Sequence, residues 1–535
     1  MKETIISALK AINCDGVTPE ILTDCCTGPE QIKYDERRKV FNRKFQFRPT
    51  AIVMCTLTGH VQAVMQLAGE LNFEIRVRSG GHDHEGECSG TDTVVIDLSK
   101  MTAVNVEKQA GKNIARIQPG IVFKNLIPEL TKQGVCIPHG TCGTVGIAGF
   151  TLGGGWGPWT RIHGMCCESL VGATIVLGNG DIKEVQQGDP LLWALRGGGG
   201  MSYGIITEFV FDAFDMPPNT IKFQVDWDSS PAYKVLCLWE GLIAPANNIK
   251  LIGTNLKIVA IPKPDGGDIK DSVHPCTFYG YYAGTQAELK ADMQEWFASL
   301  PPTNITVPDD TTDASQMKAF ETWDRISTPQ LLSRLSRRNQ PLLSLATLSG
   351  TAPLMLQDIP PDLDAPAPHK ITSRLVKEKD WGDAGRENLL HTLESDLIYT
   401  AGMEAGVQCY VTLGAISGSY YANYVAPGFP DGSAFPYKKR PFTIQYQAWW
   451  DEPATVVADG GTDSNVHNYT NRAEDWIEEC RSFDFPQTNG SFISFKDDAV
   501  PTRNYFLESY DELKNIKETY SEDPDNRLRT RKTII

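Results

Sequence analysis

Two glycine-rich turns carry the residue types that can do chemistry in this chain. The first has the sequence RSGGHDH at residues 78–84, and it follows the alternating apolar residues Ile75 and Val77. That alternation predicts a short strand. The two glycines then allow a tight turn and a close backbone approach to a ligand, because glycine has no side chain. We therefore expect His82 at the end of a turn, presented outward as a reactive group.

The second turn has the sequence PHGTCGTVG at residues 138–146, and it places Cys142 sixty residues after His82. It leads into the glycine run GGGWG at residues 153–157. Taken singly, a turn histidine is most often structural and a cysteine is most often a small buried residue. The order and distance of the two turns favour a shared role in holding a ligand.

These motifs resemble the berberine-bridge-enzyme-like branch of the vanillyl-alcohol-oxidase flavoproteins. The resemblance rests on RSGGHDHEG, on PHGTCGTVGIAGFTLGGGWG and on DPLLWALRGGGGMSYGIITEF at residues 189–209. It runs from about Arg48 to about Phe214 and resumes near the C-terminus. Within the branch, the chain looks most similar to hexose and oligosaccharide oxidases with doubly attached FAD.

The resemblance implies how FAD is held. His82 corresponds to the histidine that bonds to the 8α-methyl carbon, and Cys142 to the cysteine that bonds to C6 of the isoalloxazine ring. Val145 matches the small residue that oxidase members place where O2 reaches the flavin, so we expect an oxidase that forms hydrogen peroxide. The further expected cofactor contacts are Arg78, Ser79, Gly80, Gly81, Asp83, Gly146, Gly149, Gly153, Gly204 and Ile205.

The implied fold is α+β. It combines a PCMH-type FAD-binding domain of two small α/β subdomains with a substrate domain whose antiparallel sheet is backed by helices. The expected divisions are a lead-in over residues 1–45, the FAD-binding domain over 46–215, the substrate-binding domain over 216–495 and a segment over 496–535 that returns to the FAD domain.

Local patterns predict the elements of this fold. Strands are expected around residues 74–78, 93–98 and 113–118, with a helix near 121–133. Thr18-Pro19-Glu20 predicts the start of a helix, because proline is favoured at the first helical position.

Two positions depart from the family pattern. Phe150 stands eight residues after Cys142, where many relatives have a histidine. Phe495, within FISFKD, stands where relatives carry the catalytic tyrosine of an Asn-Tyr-x-Asp motif, and it cannot take a proton. Tyr469 looks like that motif but precedes the helix-like segment 472–480, which the motif follows in the family.

The catalytic base is therefore open. Tyr410 is the best remaining tyrosine on a predicted strand of the substrate domain. Gln445 occupies a substrate-facing strand position in relatives, where it can orient a ligand but cannot act as a strong base. Ordinary sheet packing is the alternative for both residues.

The expected reaction removes a hydride from a CH–OH group, such as the anomeric carbon of a sugar or oligosaccharide, and passes the electrons to O2 to give H2O2. One alternative is an oxidase of a secondary metabolite, acting on an alcohol, phenol or amine. Another is a flavoprotein without redox turnover, which the absent tyrosine would fit.

Composition excludes several classes of partner. A net charge of −16 argues against nucleic acid and anionic membranes, because like charges repel. No apolar run reaches the length of about 18 residues that a membrane span needs. The thirteen cysteines form no paired CxxC pattern, so no metal site is expected. We expect a small-molecule substrate and O2 as partners, and the lack of a recognisable signal peptide favours the cytoplasm.

Overall fold

The computed structural model describes residues 1–24, 27–217, 219–244, 250–307, 312–313, 366–399, 407–450 and 464–535, with the backbone alone for 312–313 and 464–470. The fold is α+β, as the sequence predicts. No helix within these ranges is both long enough and apolar enough to cross a membrane. Three β-sheets organise the described chain.

The first sheet is built near the N-terminus and presents the end of the first glycine-rich turn. Its strands are β1 (Glu20–Leu22), β2 (Ala51–Met54), β3 (Ile75–Arg78) and β4 (Val94–Asp97), in the order β1-β2-β4-β3. The last three strands are parallel, and β1 pairs antiparallel with β2. The helices of this region are α1 (Lys2–Lys10), α2 (Pro29–Arg37) and α3 (Thr58–Leu71). The first turn leaves the sheet at the end of β3.

The predicted helix start at Thr18-Pro19-Glu20 is wrong. Glu20 opens β1 and pairs with Met54 at the edge of the sheet, so sheet pairing overrides the local helix signal. The lead-in is also more than a connection, because Ile5 and Leu9 of α1 join the core of the first sheet.

The second sheet carries the other glycine-rich turn. Its strands are β5 (Val104–Gln109), β6 (Lys112–Ile117), β7 (Val135–Cys136), β8 (Leu170–Val176), β9 (Ile182–Gln186) and β10 (Ile205–Asp215). The order is β5-β6-β10-β8-β9, and β7 lies beside β10. The helices here are α4 (Phe123–Thr131), α5 (Ile147–Leu152), α6 (Thr160–His163) and α7 (Pro190–Leu195). The helix predicted near 121–133 is confirmed by α4.

The third sheet is antiparallel and has eight strands within the described residues. They are β11 (Asn219–Trp227), β12 (Leu251–Val259), β14 (Cys276–Tyr282), β15 (Asn304–Thr306), β16 (Thr312–Asp313), β17 (His369–Leu375), β19 (Gln408–Ala415) and β20 (Phe442–Trp449). Two further short strands, β13 (Ile261–Pro262) and β18 (Glu394–Ser395), pair only with each other. The order is β15-β11-β14-β12-β19-β20-β17, with β16 beside β11. The helices are α8 (Ala232–Ile243), α9 (Gln286–Trp296), α10 (Gly382–Leu393), α11 (Ser419–Ala422) and α12 (Ser464–Ser482).

The two faces of the third sheet differ in polarity. Ile444, Tyr446 and Ala448 of β20 belong to an apolar core shared with α8, α9, α10 and α12. Successive side chains of a strand point to opposite faces, so Gln445 and Gln447 lie on the other side. Both are buried, and both face away from the helices. The sheet therefore offers a polar wall to the rest of the molecule.

The C-terminal segment packs against the first two sheets. It contains α13 (Arg503–Phe506) and α14 (Tyr510–Tyr520). Phe506 and Leu513 join the core of the second sheet, and Leu528 joins that of the first. The Lys517 ammonium lies 2.9 Å from the Asp523 carboxylate, and both side chains are buried. This ion pair anchors the turn that follows α14 to that helix.

Replacing Asp523 tests that anchor. Asp523→Asn leaves the buried Lys517 charge unpaired, so we expect a loss of about 3–5 kcal/mol in the free energy of unfolding. Urea titrations followed by circular dichroism measure it. Asp525→Asn is the control, because Asp525 is 61% exposed in its pair with Arg527 and should change stability little. Equal effects of the two substitutions would contradict the assignment.

Candidate functional site

A cavity of about 320 Å³ lies where the two glycine-rich turns meet the polar wall of the third sheet. Thr412, Gln445 and Gln447 line it from β19 and β20. The sequence-predicted residues that line it are Ser79, Gly80, Gly81, His82, Asp83, Cys142, Val145, Gly146, Gly149, Gly153, Gly204, Ile205 and Gln445. Residues far apart in the chain are thus gathered around one space.

The two turns meet through glycine backbone. A Cβ atom on Gly80 would lie 2.4 Å from the Gly146 nitrogen, and one on Gly146 would lie 2.4 Å from the Ser79 hydroxyl. Neither position has room for a larger residue. Gly81 next has a φ of +77°, which bulkier residues adopt poorly. The missing side chains let the turns touch and bring His82 towards the turn of Cys142.

His82 is held in one orientation. Its Nε2 lies 2.8 Å from the Thr144 hydroxyl, and its ring stacks on Phe41 with centroids 3.7 Å apart. Burial, with a smaller contribution from His84, lowers the pKa of His82 to about 3, so the imidazole is neutral at neutral pH. The other ring nitrogen, Nδ1, has no hydrogen-bond partner among the described residues, which leaves it available for bonding.

Cys142 differs from the other thiols around the second sheet. It is partly exposed and lines the cavity. Cys136 and Cys166 are buried outside the lining, and burial raises the pKa of each to about 12. The Cys142 carbonyl accepts a hydrogen bond from the Val145 amide at 3.2 Å, which closes the turn beneath the thiol.

A buried charge cluster ties the C-terminal segment to the first turn. The Lys496 ammonium lies 2.7 Å from the carboxylates of both Asp83 and Glu87. Burial opposes ionisation of Asp83, but Lys496 outweighs it and holds the pKa of Asp83 below its usual value. Burial likewise opposes the charge of Lys496, yet the two carboxylates raise its pKa. Arg531 adds a contact of 3.1 Å to Glu87.

Sequence reasoning missed Lys496. It follows Phe495 in the FISFKD segment, but its partner Asp83 is 413 residues away in the chain. Sequence reasoning also gave no role to His84 and His369. Nδ1 of His84 lies 2.9 Å from Nε2 of His369 on β17, and nothing local in the sequence signals that pairing.

Several side chains of the polar wall form hydrogen bonds with one another. The side-chain amide nitrogen of Gln447 donates to the Thr412 hydroxyl at 3.1 Å, and the Trp449 indole donates to the side-chain carbonyl of Gln447 at 2.9 Å. Gln445 is 8% exposed, and its side-chain amide has no hydrogen-bond partner among the described residues. Gln445 can therefore both donate to and accept from a ligand.

Two predicted site residues lie outside the lining. Tyr410 lies opposite Gln447 in the sheet, and its hydroxyl donates to the side-chain carbonyl of Gln447 at 3.1 Å. Tyr410 itself is not among the residues that line the cavity. The Arg78 guanidinium donates a hydrogen bond to the Asp97 carboxylate at 2.9 Å and others to backbone carbonyls. Arg78 therefore supports the first turn and does not line the cavity.

The two phenylalanines that depart from the family pattern also line the cavity. They are Phe150 and Phe495, and Phe495 ends a short helical turn that begins at Ile493. Neither carries a titratable group. Tyr469 falls inside α12, so it does not follow that helix as the family motif would require.

Comparisons with known proteins agree with this geometry. A family model for an FAD binding domain matches residues 49–186. Berberine bridge enzyme-like 1 of Arabidopsis thaliana is 24% identical over 546 residues, which cover 98% of this chain and 91% of that protein. Glucooligosaccharide oxidase of Sarocladium strictum is 34% identical over 197 residues, which cover 36% of this chain and 39% of that protein.

The fold is shared with a solved structure. The glucooligosaccharide oxidase from Acremonium strictum, which carries a 6-S-cysteinyl, 8α-N1-histidyl FAD, has a TM-score of 0.71 at 19% identity. The match covers 99% of this chain and 98% of that one. The described residues contain no group of three or more His, Cys, Asp or Glu side chains that could hold a metal ion.

The glycine contact between the turns can be tested directly. Gly146→Ala forces the turns apart, because its Cβ would lie 2.4 Å from the Ser79 hydroxyl. We expect the purified variant to lose most of its flavin, measured as the ratio of flavin to protein absorbance. Gly69→Ala on α3 is the control, since a Cβ there meets nothing within 4 Å. Full flavin content in Gly146→Ala would contradict the close contact.

Proposed function

We propose that this chain is an FAD-linked oxidoreductase of the kind that includes berberine bridge enzyme-like proteins and carbohydrate oxidases. It oxidises a CH–OH group of a sugar or oligosaccharide and reduces O2 to H2O2. One observation carries the proposal. A single cavity has His82 and Cys142 on one side and the amides and hydroxyl of Gln445, Gln447 and Thr412 on the other.

The lining suits a flat ring system. Glycine backbone forms much of one side, and a Cβ on Gly149 would meet nothing within 4 Å, so the space in front of it is open. When bound, FAD accepts a hydride from the donor and passes two electrons to O2. The protein's part is to hold the ring, exclude water and orient the donor.

We assign two covalent attachments to FAD, through His82 Nδ1 and Cys142 Sγ. The free Nδ1 of a neutral, stacked imidazole and a partly exposed thiol in the same cavity support this assignment. Each attachment replaces a C–H bond of the ring system and an N–H or S–H bond with one C–N or C–S bond. Two electrons and two protons leave at each attachment and reduce one O2 to H2O2.

The polar wall supports a hydroxyl-rich donor. A side-chain amide that faces a cavity can both donate to a ligand hydroxyl and accept from it. Gln445 is such an amide, and it lies on the same face as Gln447 and Thr412. The wall therefore matches a sugar better than a wholly apolar donor.

A second candidate donor is an aromatic alcohol of secondary metabolism. The same cavity is lined by Phe41, Phe150, Trp449 and Phe495, whose rings can stack on an aromatic ligand. A sugar would contact the polar wall, whereas an aromatic alcohol would contact these aromatic rings.

Acid denaturation tests the attachments. Flavin should stay with the polypeptide in the wild type and in the single variants His82→Ala and Cys142→Ala, and it should leave the double variant, because either bond alone suffices to retain it. Absorbance of the washed precipitate measures retention. Cys136→Ala, a buried thiol outside the cavity, should behave as wild type. Release of the wild-type flavin would refute both attachments.

The donor class is tested by peroxide release across sugars and aryl alcohols. We expect turnover of sugars, and Gln445→Leu should lower kcat/KM for a sugar about fivefold, the equivalent of one hydrogen bond of about 1 kcal/mol. The same variant should leave turnover of any accepted aryl alcohol nearly unchanged. Peroxide from aryl alcohols alone would favour the second candidate.

A further inference from the structure

His84 and His369 form a hydrogen-bonded pair in the cavity wall. Their facing nitrogens lie 2.9 Å apart, and their rings meet edge to face with centroids 5.1 Å apart. His84 lines the cavity, whereas His369 is buried behind it against Trp449. Asn42 locks the pair, because its amide nitrogen donates to the backbone carbonyls of both histidines at 2.6 and 3.0 Å.

The contacts of His369, the buried member of the pair, determine which ring nitrogens carry the protons. Nδ1 of His369 is 2.9 Å from the carbonyl oxygen of Ala367. A carbonyl can only accept, so this nitrogen carries the proton. Burial, reinforced by His84, holds the pKa of His369 well below its usual value, so the ring is neutral and its Nε2 is bare. Nδ1 of His84 must then be the donor between them.

One nitrogen of His84 is left with a lone pair. Burial is the main cause that lowers the pKa of His84 to about 4; Lys496 adds to the effect and Asp83 opposes it, so the ring is neutral at neutral pH. Its single proton is on Nδ1, which leaves Nε2 unprotonated. No described residue forms a hydrogen bond with that nitrogen, and the ring lines the cavity.

The other titratable groups of the described lining are committed elsewhere. They are His82, Asp83, Glu87, Cys88, Cys142 and Lys496. Both carboxylates are engaged by the lysine at 2.7 Å. Burial raises the pKa of the Cys88 thiol to about 12, and His82 and Cys142 are the proposed attachment points. His84 alone among these groups offers a free basic nitrogen.

We propose that His84 is the catalytic base of the oxidation and that His369 is its positioning residue. The proposal rests on the proposed function and supplies the proton acceptor that Phe495 cannot provide. Nε2 of His84 takes the proton of the donor hydroxyl, and the O–H electron pair forms the second bond of the carbonyl. The hydrogen on carbon leaves with its electron pair as a hydride to FAD. O2 then takes the two electrons and two protons, one of them from His84, and leaves as H2O2.

Anaerobic rapid mixing isolates this step. We expect His84→Gln to lower the rate constant of flavin bleaching by the donor by about 10²–10⁴-fold, the usual worth of a positioned base. Flavin content and covalent attachment should be unchanged. His391→Gln, an exposed histidine on α10, is the matched control and should react as wild type.

Two further variants separate chemistry from folding. In His84→Gly, added imidazole should restore part of the bleaching rate, which a purely structural role would not allow. His369→Phe keeps an aromatic ring against Trp449 but removes the acceptor, so kcat should fall while KM stays near its wild-type value. Failure of imidazole to restore any bleaching, in a variant with full flavin content, would count against the base.

Nitrogen NMR provides a readout that needs no turnover. With 15N-labelled histidine, the difference between wild type and His84→Gln isolates the His84 ring, which should carry its proton on Nδ1 with Nε2 bare at pH 7. A proton on Nε2 overturns the proposal, as does a loss of less than about tenfold in the bleaching rate of His84→Gln. If no donor bleaches the wild-type flavin, the proposed function fails instead, and the tautomer then decides whether His84 presents a basic nitrogen.

Discussion

The site depends on a contact between two pieces of backbone that carry no side chains. Gly80 and Gly146 approach so closely that a Cβ on either would overlap the other turn. Because they touch, the Thr144 hydroxyl reaches His82, and the Cys142 thiol opens into the same cavity. Each turn is supported by its own sheet, the first through the ion pair of Arg78 and Asp97. Two otherwise separate layers thus become one site.

Buried charge and polarity then shape the cavity. Lys496 lies between Asp83 and Glu87 with little of its side chain exposed, and a charge removed from solvent is stabilised by such partners. The cluster links the C-terminal segment to the first turn, so the two cannot move apart without exposing unpaired charges. Across the cavity, Gln445 of β20 adds an amide to the lining.

In the proposed mechanism, the pair of histidines takes the place of the tyrosine that relatives carry at Phe495. A tyrosine base needs its high pKa lowered, whereas a buried neutral imidazole is already unprotonated at neutral pH. His369 contributes no contact with the cavity, but its bond to the Ala367 carbonyl decides which nitrogen of His84 bears the proton. A main-chain oxygen outside the cavity therefore sets the tautomer of a histidine that lines it.

The sequence by itself determined the local features. Glycine spacing and strand alternation predicted the two turns and several strands, because a tight turn and a two-residue period are properties of neighbouring residues. The α+β domain plan and most of the residues that line the cavity were implied by the family resemblance of the motifs. Alternation also placed Tyr410 on the same face as Thr412. Yet two residues along a strand span about 7 Å, and only the tertiary structure shows that Thr412 lines the cavity whereas Tyr410 does not.

Only the tertiary structure decided which residues far apart in the chain contact one another. His84 meets His369 across 285 residues, and Lys496 meets Asp83 across 413. Glu20 opens a strand where its neighbours predict a helix, because the edge of β2 offers it hydrogen bonds. Such contacts depend on how sheets and segments pack, and no local pattern encodes the packing. The sequence therefore predicted the two turns that meet at the cavity, whereas the fold decided which distant residues pair around it.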